Sequence, residues 1–226
     1  MTTFQGYTPE ALTLLDEIGA ADREWFTAHK KEYQRLIAEP SKEYVSALGE
    51  ELSERLDTEL TAIPRTNGSL SPINNDLRFN PDRPPYKDNI MVRIWQGPEK
   101  KTAPTLFVRI TKDEVGFASG ITLDGPQLAR WREAVAADSG ATLVDDIEAA
   151  QQQHPCEVVG ETLKRVPAPY PADHPRADLL KFKYFQIRYL VPATPAIHSA
   201  EFVPWCADQF EPLFAIHRWL VDHMTG

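Results

Sequence analysis

The segment NDLRFNPDRPPYKDNI, residues 75–90, separates a helix-patterned part of the chain from a strand-patterned part. Its three prolines fix φ at their own positions and push the preceding residues toward extended backbone. We therefore expect an irregular but stiff loop. Cations alternate in it with anions around two aromatic rings, Phe79 and Tyr86. A rigid loop of this composition would hold charge in a fixed pattern, which is typical of a binding site.

The sequence before this loop predicts three amphipathic helices. Thr8 followed by Pro9 is a cap and first-turn signal for the first helix. Asp22 is predicted to cap a second helix, which Pro40 interrupts. A third helix is predicted from Ser41. Apolar residues fall on one face of each helix in turn: Ala11, Leu14, Leu15 and Ile18; Trp25, Phe26, His29, Tyr33, Leu36 and Ile37; and Tyr44, Leu48, Leu52, Leu56 and Leu60.

After the loop, the hydrophobic period becomes that of strands. Strands are predicted at residues 90–95, 105–111, 115–119, 157–163 and 185–191. Helices are predicted from residue 124, over residues 143–150, and from residue 199 to about 223 with a kink at Pro212.

This order of helices and then strands, without alternation of the two, predicts an α+β fold. We expect a single domain over residues 1–226, with a helical part at 8–62, a rigid Pro-rich loop at 63–89, and sheet and helices at 90–226. The N-terminal helices are expected to pack on a mainly antiparallel sheet, and the chain to close with a long C-terminal helix.

Three stretches also share their pattern with a known family. They are REWFTAHKKEY at residues 23–33, RFNPDRPPYK at 78–87 and LKRVPAPYPADHPRADLLK at 163–181. They resemble the Arg-x-Trp-Phe-x-x-His-Lys-x-x-Tyr, Arg-Phe-x-x-Asp-Arg-x-Pro-Tyr-Lys and Leu-Lys-Arg-x-Pro, Asp-His-Pro and Leu-Leu-Lys elements of the domain of unknown function 2461 family, in the same order. The resemblance spans nearly the whole chain and implies no particular reaction.

Composition predicts a soluble cytoplasmic protein. The chain has 226 residues, of which 42% are apolar, enough for a sizeable core. Its start lacks the features of a signal peptide, and no stretch approaches the roughly 20 apolar residues that cross a membrane. Cys156 and Cys206 lack metal-site or disulfide-scaffold spacing, so we expect free thiols in a reducing compartment.

Charge is unevenly distributed along the chain. The net charge of −9 argues against nucleic-acid or acidic-membrane partners. However, residues 62–111 hold eight lysines and arginines against four acids, and residues 162–188 hold six against two. These segments either form a local cationic site on an acidic body or only neutralise nearby carboxylates.

Standard catalytic motifs are absent from the sequence. It contains no GxGxxG, GxxxxGK[ST], GxSxG or HExxH pattern, so we expect neither a nucleotide cofactor nor a metal. Ser119 ends a predicted strand within GFASG and is interpreted as structural. His217 and His223 are six residues apart and cannot share one helical face as a metal-binding pair does.

The remaining candidates are residues that only the fold could bring together. His29 and Tyr86 are candidate catalytic groups, although a histidine on an apolar helix face is also typical of a hydrogen-bonded core residue. His174, in a turn, is expected to bond backbone. The candidate ligand-binding residues are Arg78, Arg83, Tyr86, Lys87, Arg165 and Lys181, because cations near an imidazole and a phenol suit a phosphate, carboxylate or nucleotide.

Two functions stay open on this evidence. The first is a cationic site for a small anionic ligand, with or without catalysis. The second is a non-enzymatic module that docks a protein or nucleic-acid partner through the Pro-rich loop. The loop exceeds the length of about 12–15 residues beyond which loops are usually functional or disordered, and its prolines argue against disorder, which favours the first.

Overall fold

The computed structural model describes residues 3–78 and 80–225. Helix α1 (Pro9–Ala20) begins as predicted, because the Thr8 hydroxyl accepts a hydrogen bond from the Ala11 amide at 3.2 Å and Pro9 occupies the first turn. The residues predicted for its apolar face, Ala11, Leu14, Leu15 and Ile18, are buried.

The second and third predicted helices form one continuous helical stretch. Helix α2 (Arg23–Tyr33) is followed by a π-helical turn (Gln34–Ala38) and then by α3 (Glu39–Leu56). The prediction that Pro40 interrupts the helix is therefore wrong. Proline lacks an N–H and clashes with the carbonyl four residues before it, and the wider π turn gives room at that point. In this turn the Glu39 amide bonds the Gln34 carbonyl, five residues back.

Helix α3 ends earlier than the leucine pattern predicted. The chain leaves the helix at Asp57, which has a left-handed φ of 52°. Leu60, predicted to continue the helical stripe, is buried but lies beyond the helix. Leu60 thus belongs to the core, although its backbone is not helical.

A five-stranded antiparallel sheet follows the Pro-rich loop, which confirms the α+β class. Its strands are β1 (Ile90–Trp95), β2 (Thr105–Ile110), β3 (Glu114–Thr122), β4 (Glu157–Val159) and β5 (Tyr184–Pro192), in the spatial order β1-β2-β3-β5-β4. Strand β4 is shorter than predicted, since its pairing with β5 ends at Val159, and the bridge between Thr162 and Phe182 lies outside both strands.

The remaining helices lie between these strands or after them along the chain. They are α4 (Pro126–Ala136), α5 (Ser139–Gln153), α6 (Ala177–Leu180) and α7 (Phe202–Met224), with a 3-10 turn at Pro195–His198. Helix α5 is longer than predicted and α6 was not predicted. The predicted long C-terminal helix is confirmed as α7, which contains Pro212.

Contacts divide the chain into two compact units. Unit 1 takes the described residues of Met1–Ile94, Phe107–Gly116 and Leu190–Gln209. Its core contains the rings of Phe4, Tyr7, Tyr44 and Phe202, all almost fully buried. The single-domain arrangement stays a prediction.

Unit 2 takes the described residues of Trp95–Leu106, Phe117–Tyr189 and Phe210–Gly226. Its core centres on Trp131, whose ring lies 5.0 Å from Phe185 and 5.7 Å from Trp219, and whose indole N–H bonds the Leu179 carbonyl at 2.8 Å.

Within residues 3–78 and 80–225, none of the helices combines the length and apolar character needed to span a bilayer.

Candidate functional site

Helix α2 presents a row of half-buried aromatic rings. The Asp22 carboxylate caps the helix by accepting from the Trp25 amide at 2.8 Å. No residue of α2 is fully buried, so the prediction that its aromatic stripe is a core face was too strong. The Trp25 ring stacks on His29 with centroids 3.8 Å apart, and Phe26 stacks on Tyr86 of the Pro-rich loop at 4.2 Å. Phe26 of α2 therefore lies against the loop, whereas His29 contacts Trp25 of its own helix.

His29 bonds its own helix. Its Nδ1 lies 2.8 Å from the Trp25 carbonyl, one turn earlier, while the ring stacks on the Trp25 indole. These contacts match the interpretation of a hydrogen-bonded histidine. Its candidate role as a proton carrier stays a prediction.

Backbone hydrogen bonds pair the two arms of the Pro-rich loop. The Asn75 amide bonds the Pro85 carbonyl at 2.9 Å, and the Lys87 amide bonds the Ile73 carbonyl at 2.8 Å. The side-chain amide of Asn75 donates to the carbonyls of Pro84 and Tyr86, both at 2.8 Å. The two arms of the loop, residues 73–75 and 84–87, are thus tied together.

Tyr86 and Lys87 contribute to this loop structure. The Tyr86 ring is buried and stacked on Phe26. The Lys87 ammonium donates to the Pro72 carbonyl and, at 2.6 Å, to the Asn74 carbonyl. Partial burial lowers the pKa of Lys87, and the positive charge of Arg83 lowers it further. Arg83 itself is exposed, and Phe79, the other ring of the loop, lies outside the described residues.

Arg78 forms an ion pair inside the loop. Its Nε lies 2.9 Å from one Asp76 carboxylate oxygen and its Nη2 lies 2.6 Å from the other. These hydrogen bonds lower the pKa of Asp76 to about 2 and raise that of Arg78. The side chains are 79% and 51% exposed, so the pair is open to solvent. Asp88 instead lies 3.5 Å from Arg109 of β2.

A cavity of about 480 Å³ lies where the start of α2 meets the loop. We call it the arginine cleft, because an arginine from each element lines it. Its lining residues are Arg23, Asn74, Asn75, Asp76, Leu77, Arg78 and Pro85. Sequence reasoning found Arg78 but missed Arg23, although Arg23 begins the first family-like motif. The signal that could have found it was that motif, since helical periodicity does not single out an exposed first-turn residue.

Comparison with known proteins agrees with the motifs. The family described as conserved hypothetical protein (DUF2461) matches residues 10–219. The chain belongs to the DUF2461 family. This confirms the family predicted from the three motifs. No curated protein matches the chain. The DUF2461 match includes both α2 and the Pro-rich loop, so the whole arginine cleft lies inside the family region.

The third motif of this DUF2461 chain lies in unit 2. Arg165 is exposed there, and Lys181 pairs with Asp178 at 2.5 Å, one helical turn away. His174 Nδ1 accepts from the Arg176 amide at 3.0 Å, so this imidazole bonds backbone as expected. The ligand-binding roles of Arg165 and Lys181 stay predictions.

A buried serine–histidine contact also lies in unit 2. Ser119 Oγ is 3.4 Å from His217 Nδ1, and both residues are fully buried. Burial lowers the pKa of His217 to about 4, with a further contribution from Arg218. Since a substrate cannot reach fully buried groups, the contact agrees with the structural interpretation of Ser119. Among the described residues, no three His, Cys, Asp or Glu side chains come together as metal ligands.

Proposed function

We propose that this chain binds a small organic anion, bearing a phosphate or carboxylate group, in the arginine cleft. The observation that carries the proposal is that Arg23 of α2 and Arg78 of the Pro-rich loop line one cavity. The planar guanidinium group of arginine bonds carboxylates and phosphates through two parallel N–H donors. Two such groups from separate elements could hold one anion between them.

The volume of the cleft suits a small molecule. Ligand pockets commonly have volumes of about 300–1,000 Å³, and the cleft, at about 480 Å³, is within that range. Leu77 and Pro85 add apolar surface to its wall. Apolar wall beside charged groups favours an anion with an organic body over a bare inorganic ion.

The Asp76 carboxylate in the cleft opposes an anion, but its charge is already compensated by Arg78. Exposed ion pairs contribute little to stability, so Arg78 can share its donors with a ligand at small cost. Arg23 supplies the second positive charge. The chemistry of the cleft therefore suits a ligand of one or two negative charges better than a highly charged polyanion.

Binding is proposed here without a reaction. The described lining residues include no histidine, cysteine, serine or tyrosine that could carry a proton or attack a substrate. Tyr86, the other candidate catalyst, has its ring buried against Phe26. The geometry supports binding of an anion in the cleft, whose walls are formed by α2 and the loop.

A second function is favoured by one observation. Residues 80–84, the tip of the Pro-rich loop, are exposed throughout. A stiff, exposed Pro-rich segment can dock on an aromatic groove of a protein partner at little entropic cost. The two functions use different parts of the loop, so variants can separate them.

The free, buried thiols of Cys156 and Cys206 support a reducing, cytoplasmic location for either function.

A thermal-shift screen with phosphate, succinate and adenosine monophosphate at constant ionic strength tests the anion proposal. A ligand that binds only the folded state raises the melting temperature, and the gain grows with the logarithm of ligand concentration once it exceeds the Kd. We expect at least one organic anion to stabilise the wild type and to lose this effect in Arg23→Gln. The matched control is Arg188→Gln, which removes an exposed arginine paired with Glu157 at 3.4 Å outside the cleft. Equal stabilisation of all three proteins would contradict the proposal.

A further inference from the structure

A second cavity, of about 120 Å³, lies beside the π turn between α2 and α3. We call it the π-turn cavity. Its helical wall consists of Tyr33, Gln34, Ile37, Ala38, Ser41 and Lys42, and its other wall of Thr66, Leu70, Ser71, Ile73, Asn89 and Ile90. None of these residues lines the arginine cleft, so a substitution in one cavity changes no lining residue of the other.

The hydrogen bonds of Ser41 define the buried side of this cavity. Ser41 is buried, and its hydroxyl donates to the Ile37 carbonyl at 2.6 Å. Since the Ser41 proton is committed to Ile37, the Tyr7 hydroxyl, 3.1 Å away, must donate to Ser41 Oγ. This chain of bonds fixes the helical wall at the π turn, where backbone pairing is irregular.

The cavity is polar, and Lys42 is the one charged residue among its described lining residues. Lys42 is compensated by Glu39 at 2.8 Å, and no carboxylate is among the described lining residues. Burial raises the pKa of Tyr33, so its phenol stays a neutral donor at physiological pH. Thr66 and Ser71 add hydroxyl groups, and Gln34 and Asn89 add amides. The lining therefore offers both donors and acceptors, and its one charged group is held by Glu39.

We propose that the π-turn cavity binds an uncharged polyhydroxy molecule of about six non-hydrogen atoms. A cavity of about 120 Å³ equals the volume of about four waters, and one of about 150 Å³ holds a six-membered ring. Such a molecule would replace ordered waters and pair its hydroxyls with those of the wall. An anion of equal size would lose its hydration and would have to compete with Glu39 for the Lys42 ammonium.

Isoleucine methyl NMR provides a direct test with glycerol as the probe. Ile37, Ile73 and Ile90 line the cavity, whereas Ile147 and Ile187 belong to unit 2 and serve as internal controls. We expect saturable shifts of the three cavity methyls on addition of glycerol, and constant shifts of the control methyls. Lactate, which has the same number of non-hydrogen atoms and a negative charge, is expected to bind at least about tenfold more weakly.

Variants show whether the wall hydroxyls recognise the probe. The double variant Thr66→Val, Ser71→Ala should weaken glycerol binding at least about fivefold, because each lost hydrogen bond is typically worth about 1 kcal/mol. Ala38→Leu should abolish binding by filling the cavity. The matched control Thr122→Val removes a half-buried hydroxyl of β3 and should bind as the wild type does. Shifts that grow linearly without saturation, equal binding of lactate, or unchanged affinity in the double variant would overturn the proposal.

Discussion

At the scale of single residues, the burial of α2 aromatics differs from what helical spacing indicates. Trp25 is half-buried and stacks on a half-buried histidine, whereas Trp131 of unit 2 is fully buried. Spacing in a sequence shows which side chains share a face, but it does not show how deeply a neighbouring element covers them. The loop that covers α2 reaches Phe26 through Tyr86 and leaves Trp25 partly open.

This difference predicts unequal costs for two tryptophan variants. Trp131→Ala should lower the free energy of unfolding by about 3–5 kcal/mol, the usual range for a buried aromatic. Trp25→Ala should lower it by about 1–2 kcal/mol, since partial burial and one stacking contact are lost. Urea denaturation of both variants measures the two values. Equal losses would show that the Trp25 stripe is a true core face.

A buried histidine predicts acid sensitivity. Burial lowers the pKa of His217 from 6.5 to about 4. Because the unfolded chain then binds the proton more tightly, the stability from this residue is complete above pH 6.5 and falls as pH falls toward 4. The loss is at most about 3 kcal/mol.

Denaturation midpoints between pH 7 and pH 4 measure this loss. His217→Leu should flatten the pH profile in that window. His223→Gln, on the same helix but only half-buried, should keep the slope of the wild type. A His217→Leu profile that parallels the wild type would show that other groups cause the acid sensitivity.

At the scale of elements, features that depend on neighbouring residues in the sequence were predicted well. Features that depend on residues far apart in the sequence were predicted poorly. The cap of α1 follows from Thr8 and Pro9, and β1 (Ile90–Trp95) follows from its β-branched pattern, because both depend on neighbouring residues. The π turn was missed because a proline inside a helix usually breaks it, and here a change of hydrogen-bond period avoids the clash. The arginine cleft could be predicted only in part, since Arg23 and Arg78 are far apart in sequence.

The Pro-rich loop yields a prediction about Lys87. Its ammonium ties the loop through the carbonyls of Pro72 and Asn74, so Lys87→Met should loosen the loop even without ligand. We expect the Asn75 and Lys87-position amides to exchange hydrogen about 5–30 times faster, equivalent to about 1–2 kcal/mol of local stability. Lys42→Met, which removes an exposed lysine paired with Glu39, is the control. Unchanged exchange in Lys87→Met would show that the tether is dispensable.

At the scale of the whole molecule, neither compact unit is a continuous stretch of sequence. Unit 1 needs residues from the C-terminal third: the Tyr44 hydroxyl bonds Cys206 Sγ at 3.1 Å, and Arg55 pairs with Asp208 at 2.6 Å. An N-terminal fragment would lose these contacts and expose its aromatic core. That the chain folds as one domain stays a prediction.

Limited proteolysis tests that expectation. We expect no stably folded fragment ending near residue 62 or residue 94, because such fragments lack part of the unit 1 core. Mass spectrometry of the products, with circular dichroism of a purified 1–94 fragment, measures this outcome. A cooperative thermal transition in the isolated fragment would show that the N-terminal helices form a domain of their own.

Arg23 and Arg78 are proposed to bind one anion together, and isothermal titration calorimetry measures whether they do. Succinate and adenosine monophosphate are titrated into the wild type, Arg23→Gln, Arg78→Gln and the control Arg188→Gln at one ionic strength. We predict saturable binding of at least one anion to the wild type and the control. Each cleft variant should bind it at least about tenfold more weakly, since a charged hydrogen bond is worth about 1.5–3 kcal/mol. Equal affinity in all four proteins, or no binding to the wild type, would contradict the claim.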